Sequence, residues 1–333
     1  MLKNLGIDKL IYPEVLAATE IVQSLKRSWI REYRTFSNEA LVLVCVKVRE
    51  NAEIINKVFS TGFFNHSMYR IVAVKRHTTT IIPSGNDQIL ADDLVYFICT
   101  KENLEYVRTA AGKTKFDIKN IIIMGGSKIA LKTVQYLPND INVKIIESDR
   151  ERCYELADKT DTLIIHGDGR NVDLLKDEGI EDADAFIALT NNSETNVLAC
   201  LAAKRFGLRK TIAEVENIDY IDLADNLDIG SLINKKLIAA SHIYQQTLDE
   251  DAYDVQCLTY SDAEVVEFVV KAGDKITKDR VRNLNLPEDV NIGGVVRNGK
   301  GYVVNGNTVI LPGDHVVIFC KATAVPKLAK FFN

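Results

Sequence analysis

Nowhere in the 333 residues is there an apolar run approaching the ~18–20 residues that span a bilayer, which excludes a membrane-spanning helix from this sequence. The opening Met-Leu-Lys-Asn-Leu-Gly lacks the basic region and apolar core of a secretory signal. There is no basic excess either: 41 Lys and Arg stand against 46 Asp and Glu, a formal charge of −5, which argues against a nucleic-acid partner. The six cysteines form no C-x-x-C pair and the five histidines no H-E-x-x-H spacing, so no metal site is expected. Cys45, Cys99 and Cys320 interrupt apolar runs (LVLVCV, LVYFIC, HVVIFC) and read as buried free thiols of a reducing cytosol. A G-x-S-x-G elbow, a Walker lysine followed by Ser or Thr, and a His–acid pair at chemically sensible spacing are all missing, and no catalytic residue is assigned. What remains, 47% hydrophobic and 26% charged, is an ordinary globular chain long enough for two or three domains.

The sequence does contain an internal repeat. Shifted by 222 residues, Leu5–Gln23 lies on Leu227–Gln245, with Leu5, Ile7, Leu10, Ile11, Ala17, Ala18, Ile21 and Gln23 identical to their mates. Shifted by 221, Gly85–Cys99 (GNDQILADDLVYFIC) lies on Gly306–Cys320 (GNTVILPGDHVVIFC). Short apolar strands resemble one another by chance, but two matches in order, at offsets one residue apart, mark a duplication. The middle of the chain, Asp117–Ile233, has no N-terminal counterpart except its final strand and helix, so the sequence reads as one and a half units.

Four segments follow. Residues 1–35 read as the end of a missing unit: a short strand at Lys9–Ile11, then a helix opened by Pro13 with Ala17, Ala18, Ile21, Val22 and Leu25 on one face. Lys26–Ser37, charged and holding the only tryptophan, is a linker candidate. Residues 36–112 read as a small α+β domain. Its strands are Glu39–Arg49, Arg70–Lys75, Thr78–Ile82 and Leu94–Thr100, and its helices Ala52–Phe59 and Glu102–Ala110. Residues 117–248 alternate strand and helix, the pattern of a doubly wound parallel sheet. Strands are expected at Asn120–Met124, Val143–Glu147, Thr162–Ile165, Ala185–Thr190, Lys210–Val215 and Ser231–Ile233. Residues 252–333 again read as a small strand-rich domain, ending in a helix at Val325–Phe332. The fold class is therefore α/β: one Rossmann-like sheet flanked by two small α+β domains.

The chemistry concentrates after the first of those parallel strands. IIIMGGSKIA sets a buried strand before a glycine-rich turn and a helix, so that backbone amides and the helix N-terminus face an anion. Against G-x-G-x-x-G, Gly125 is the first glycine, Ser127 stands for the second and Ala130 for the third. The loop Gly125, Gly126, Ser127, Lys128, Ile129 and Ala130 is the candidate phosphate site. Glu147 ends the next strand, where an acid accepts hydrogen bonds from ribose hydroxyls and disfavours a 2′-phosphate. Asp168 in the turn His166–Gly169 could face the adenosine end, and Thr190 and Asn191 put a hydroxyl and an amide at the carboxyl edge of the sheet. Two alternatives stay open on these residues: an NAD-dependent oxidoreductase, and an assembly module without ligand.

These segments resemble the KTN/RCK family, in particular the TrkA-type peripheral subunits of bacterial potassium uptake. The resemblance runs over nearly the whole chain, through IIIMGGSKIA, IIES, HGDG-x-x-x-x-LL and, most specifically, EDADAFIALTNNSETN (Glu181–Asn196). The Leu-Pro-Gly-Asp turn of the family's C-terminal domain stands at Leu311–Asp314 and is altered to Leu-Ala-Asp-Asp at Leu90–Asp93. The resemblance implies tandem Rossmann and small domains, here with most of the first Rossmann domain missing. It implies a non-enzymatic, cytoplasmic regulator, peripheral at the inner face of the cell membrane, that binds NAD(H) or ATP/ADP, forms a homo-oligomer (a dimer or tetrameric ring) and gates a TrkH/TrkG-like integral membrane potassium-translocating subunit. Two departures, Ser127 for glycine and Glu214 where many relatives carry a phosphate-directed arginine, lead to the expectation of a weak or vestigial site. The unpaired strand near Lys9–Ile11 and its apolar helix are expected to be poorly buried in a monomer, which predicts a homo-oligomer, at least a dimer.

Overall fold

The computed structural model describes residues 10–64, 67–247 and 252–332. The chain divides into two compact units, Met1–Ser28 with Asp117–Ile243, and Trp29–Phe116 with Tyr244–Asn333. Helix α1 (Pro13–Lys26) opens the first unit with Pro13 in its first turn, where the missing N–H is no loss. The expected strand at Lys9–Ile11 begins outside the described residues, and Leu10 and Ile11 carry no strand.

In the second unit, β1 (Glu32–Phe36), β2 (Leu41–Lys47), β3 (Tyr69–Arg76), β4 (Thr79–Ile81) and β5 (Leu94–Cys99) form an antiparallel sheet of order β1-β2-β5-β3-β4, followed by α2 (Leu104–Ala110). Two expectations fail here. The supposed linker contains β1, which pairs with β2 from Glu32↔Cys45 to Phe36↔Leu41, so a boundary at residue 35 would cut a strand. The supposed helix Ala52–Phe59 is irregular. Asn56 has φ +59° and gives its N–H to Ile89 O (2.8 Å), while Ile55 and Val58 bridge to Ile89 and Gln88. The apolar spacing that resembled a helix comes from Ile54 and its neighbours filling the core under the sheet.

The first unit continues with β6 (Asn120–Met124), α3 (Lys128–Tyr136), β7 (Asn142–Glu147), α4 (Arg150–Ala157), β8 (Leu163–His166), α5 (Val172–Asp177), β9 (Ala185–Ala188), α6 (Ser193–Arg205), β10 (Lys210–Glu214), α7 (Asp219–Asn226), β11 (Ser231–Ile233) and α8 (Lys235–Thr247). The six strands are parallel in the order β11-β10-β9-β6-β7-β8. The order in which strands are added therefore reverses between β6 and β9, the switch point at which such sheets open a crevice. The face of α1 expected to be exposed is covered within this unit: Ala17, Ala18, Ile21, Val22 and Leu25 are buried, and α1 packs on α3 and β11. The helix therefore offers no exposed apolar face to a second copy, while the strand expected beside it begins outside the described residues.

The second unit resumes with β12 (Ala252–Cys257), β13 (Ala263–Val269), β14 (Val290–Arg297), β15 (Lys300–Val303), β16 (His315–Lys321) and the short α9 (Val325–Leu328), in the sheet order β12-β13-β16-β14-β15. This is the order of the first sheet, and even the register shift recurs, between Ile71 and Ala73 and between Ile292 and Gly294. An arginine–aspartate clasp recurs with it. Arg76 Nε and Nη2 reach Asp93 at 2.9 and 2.8 Å, and Arg297 reaches Asp314 at 2.8 and 2.7 Å. Strands β2 and β5 are buried on both faces. Val44, Val46 and Phe97 enter their own core, while the alternate residues Leu43, Tyr96 and Ile98 are covered elsewhere; β14 lies against β2, β3 and β5. Three contacts join residues 221 apart: Arg70 Nε donates to Asn291 Oδ1 (3.0 Å), Gln256 Nε2 donates to Thr35 O (3.1 Å), and Gly293 leaves room for Val72.

Candidate functional site

A cleft of about 730 Å³ opens at the carboxyl edge of the parallel sheet, within the range of small-molecule and cofactor sites. Its floor is the turn from β6 into α3. Gly125 has φ +98°, and a β-carbon there would lie 2.9 Å from Leu189 O and Thr190 N, so only glycine lets the turn lie against the end of β9. Gly126 serves a different need, since a β-carbon would sit 2.4 Å from Leu156 Cδ1. Ser127 has φ −65° and accepts the Ala130 N–H (3.3 Å), capping α3. The position where a glycine was expected is thus an N-cap, which satisfies one helix amide and leaves the others toward the cleft.

Glu147 ties the far wall to this floor. Its Oε2 accepts the Gly126 N–H at 2.6 Å, and its Oε1 accepts from Asp149 N (2.8 Å) and Ser148 Oγ (3.2 Å). Asp168 lies beyond, after β8, in a bidentate pair with Arg170 whose hydrogen bonds hold its carboxyl below the usual carboxylate range. On the other side, Thr190 Oγ1 donates to Asn196 Oδ1 (2.6 Å), which also accepts Thr190 N–H (3.1 Å). Asn196, fully buried, returns its amide to Thr190 O (2.8 Å) and Glu214 O (2.9 Å), locking together the ends of β9 and β10.

Gly125, Gly126, Ser127, Lys128, Ile129, Glu147, Asp168, Thr190 and Asn191 all line this cleft. Ala130 does not: it lies on the buried face of α3, and its contribution is the N–H given to Ser127. Among the lining residues not anticipated as ligand contacts are Arg152, Glu14 and Lys235. Arg152 on α4 donates Nε to Gly126 O (2.7 Å) and pairs with Glu155 (2.6 Å). Glu14 comes from α1, more than a hundred residues upstream. Lys235, at the start of α8, lies 3.2 Å from Glu214 Oε1 and also pairs with Glu216. Glu214 itself is only 3% exposed, and burial pushes its carboxyl above the usual range. Arg152 stands on a helix face with no distinguishing pattern; Glu14 carried a usable signal, since the repeat aligns α1 with α8, whose first residue, Lys235, also lines the cleft.

A Rossmann sheet with a glycine turn at its switch point, carried in one chain with two copies of a small antiparallel domain, has the fold of RCK proteins. The solved "Crystal Structure of the GsuK RCK domain" matches with a TM-score of 0.51 at 13% identity, over 99% of this chain and 72% of that one, a likeness of fold alone. The "GsuK channel bound to NAD" matches with a TM-score of 0.51, also at 13% identity, over 99% of this chain and 60% of that one. Residues 121–235 match the TrkA-N domain, and residues 43–112 and 265–333 match the TrkA-C domain. The chain belongs to the TrkA family. A relative from Halomonas elongata, "Trk system potassium uptake protein TrkA", is 29% identical over 321 residues, covering 94% of this chain and 70% of that protein. Among the described residues no helix is long and apolar enough to cross a membrane.

Proposed function

We propose that this chain is a regulatory subunit of a Trk-type potassium uptake system, and that its Rossmann cleft senses an adenine nucleotide, NAD(H) or ATP/ADP. The observation that carries the reading is the junction of Gly126 and Glu147: an acid at the end of the second strand, 2.6 Å from an amide of the glycine turn at the switch point. In this reading the N-terminus of α3 stabilises phosphate charge above a turn whose Gly125 and Gly126 amides are held by Ile146 O and Glu147, Glu147 accepts from an adenosine ribose, and Asp168 closes the adenosine end. Gly125, Gly126, Ser127, Lys128, Ile129, Glu147, Asp168, Thr190 and Asn191 are the contacts we assign.

The role is regulatory rather than catalytic. Two pairs of ionisable groups in the cleft, Asp168 with Arg170 and Glu214 with Lys235, are engaged with one another, which suits binding better than proton transfer. The chain acts as a homo-oligomer on the cytoplasmic face of a membrane partner that carries the ion; the name of its relative from Halomonas elongata speaks only of potassium uptake. A nucleotide that binds one arrangement of the assembly better than another shifts it by the difference, typically about 1–3 kcal/mol. Calorimetry with NADH, NAD, ADP and ATP tests the reading, with Gly125→Asp as the control that loses binding. Failure of all four ligands to bind would end it, and turnover of NADH with a small carbonyl compound would move the chain to the oxidoreductases.

A further inference from the structure

The cleft distributes its charge unevenly about the glycine turn, and this bears on which nucleotide it accepts. Strand order puts Glu147 and Asp168 on the β7–β8 side of the turn and Thr190 and Glu214 on the β9–β10 side. Resting on the nucleotide reading above, we infer that the cleft selects a dinucleotide with two singly charged phosphates over an adenine triphosphate, with Glu214 as the specificity-determining residue and Glu14 as its second.

With adenosine held on the β7–β8 side and the first phosphates at the α3 N-terminus, whatever follows enters the β9–β10 side. A triphosphate sends its most highly charged end there, whereas a dinucleotide sends a second ribose. Glu214 lines that side and cannot swing into solvent: the residue is 3% exposed and its carbonyl oxygen is held by Asn196. Glu14 adds a second carboxylate from α1. The cations nearby are mostly committed. Arg152 pairs with Glu155, Arg170 with Asp168, and Lys235 with both Glu214 and Glu216. Lys128, exposed at the start of α3, is the one lining cation with no carboxylate within ion-pair distance among the described residues. A terminal phosphate therefore meets the carboxylate of Glu14 and that of Glu214, the latter offset in part by Lys235, while a ribose offers those carboxylates hydroxyl donors. One like-charge contact of this kind, at the effective dielectric near a protein surface, accounts for at least about a tenfold difference in affinity.

The experiment is competition calorimetry on the full chain with NADH, NAD, ADP and ATP, each in EDTA and again with magnesium, for the parent, Glu214→Gln and Glu14→Gln. The parent should bind NADH at least about tenfold more tightly than ATP in EDTA, and Glu214→Gln should narrow that ratio about tenfold, Glu14→Gln less. Equal affinity for NADH and ATP in the parent overturns the inference and leaves the nucleotide reading intact. So does a ratio unmoved in both variants, with their folding checked by circular dichroism; Glu14→Gln supplies this arm if Glu214→Gln fails to fold. ATP that binds tightly only with magnesium would reassign the carboxylates to a cation and refute the selectivity. Binding of none of the four ligands would instead sink the nucleotide reading itself.

Discussion

Replacing Gly125 with alanine tests whether the glycine turn is held by the end of β9. The residue has φ +98°, a region that costs an L-residue about 1–3 kcal/mol. Its new β-carbon would also meet Leu189 O and Thr190 N at 2.9 Å, both backbone atoms that cannot rotate aside, and overpacking of that kind costs about 1–3 kcal/mol more. A loss of about 2–6 kcal/mol is expected, a fall in melting temperature of roughly 5–15 °C. Gly207 provides the comparison: it has φ +91° after α6, but nothing lies within 4 Å of its β-carbon position. Gly207→Ala should therefore show the strain alone, about 1–3 kcal/mol. Differential scanning calorimetry of both variants isolates the steric part, and nucleotide affinity should fall only in Gly125→Ala. Equal losses in the two variants, with nucleotide affinity intact, would refute the claim that the close approach to β9 shapes the site.

Asn196→Ala should cost about 2–4 kcal/mol in urea unfolding, because it strands the Thr190 N–H and the carbonyls of Thr190 and Glu214 in the interior; a loss under 0.5 kcal/mol would show that these groups find other partners. Burial raises the Glu214 pKa, so the folded state disfavours its charge; that stability is fully present below the unfolded value near ~4.3 and is lost as pH rises through the folded one. Glu214→Gln should therefore melt above the parent at neutral pH, with the advantage shrinking toward pH ~4; Lys235, Glu216 and Glu14 are the charged neighbours, and a variant less stable than the parent at neutral pH would contradict the sign. Asp93→Asn and Asp314→Asn should each cost about 1–3 kcal/mol, since both carboxylates are buried and bind arginine through two hydrogen bonds; a large loss in one and none in the other would show that equivalent geometry is not equivalent energy.

Much of this architecture was legible because duplication wrote it twice. The match of Gly85–Cys99 to Gly306–Cys320 anticipated two sheets with one strand order, and alternating strands and helices anticipated the parallel sheet between them. The glycine turn, Glu147 and Asp168 could be read from their spacing behind successive strands. Reading failed where a side chain's role depends on distant chain. Glu32–Phe36 passed for a linker because its charged residues alternate with aromatics, and only pairing with β2 makes it a strand. Ile54 and its neighbours mimicked helical spacing because a core can be filled from an irregular loop as well as from a helix. Helix α7 (Asp219–Asn226) carries an acid among its buried positions, Ile221, Ala224 and Asp225, which breaks the apolar stripe that marks a packed helix in sequence. Ser127 looked like a defect until its hydroxyl was seen to cap α3.

The contacts between residues 221 apart have an evolutionary meaning. In a dimer of identical chains, a residue on the two-fold axis faces its own copy, so every change there is made on both sides at once. Joining the copies in one polypeptide lifts that constraint. Arg70 faces Asn291 where two identical chains would oppose arginine to arginine, and Val72 faces Gly293 where they would set valine against valine. Each side has been free to become the complement of the other rather than of itself. The covalent link has thereby turned a self-matching surface into a lock and key, with the two small domains no longer interchangeable.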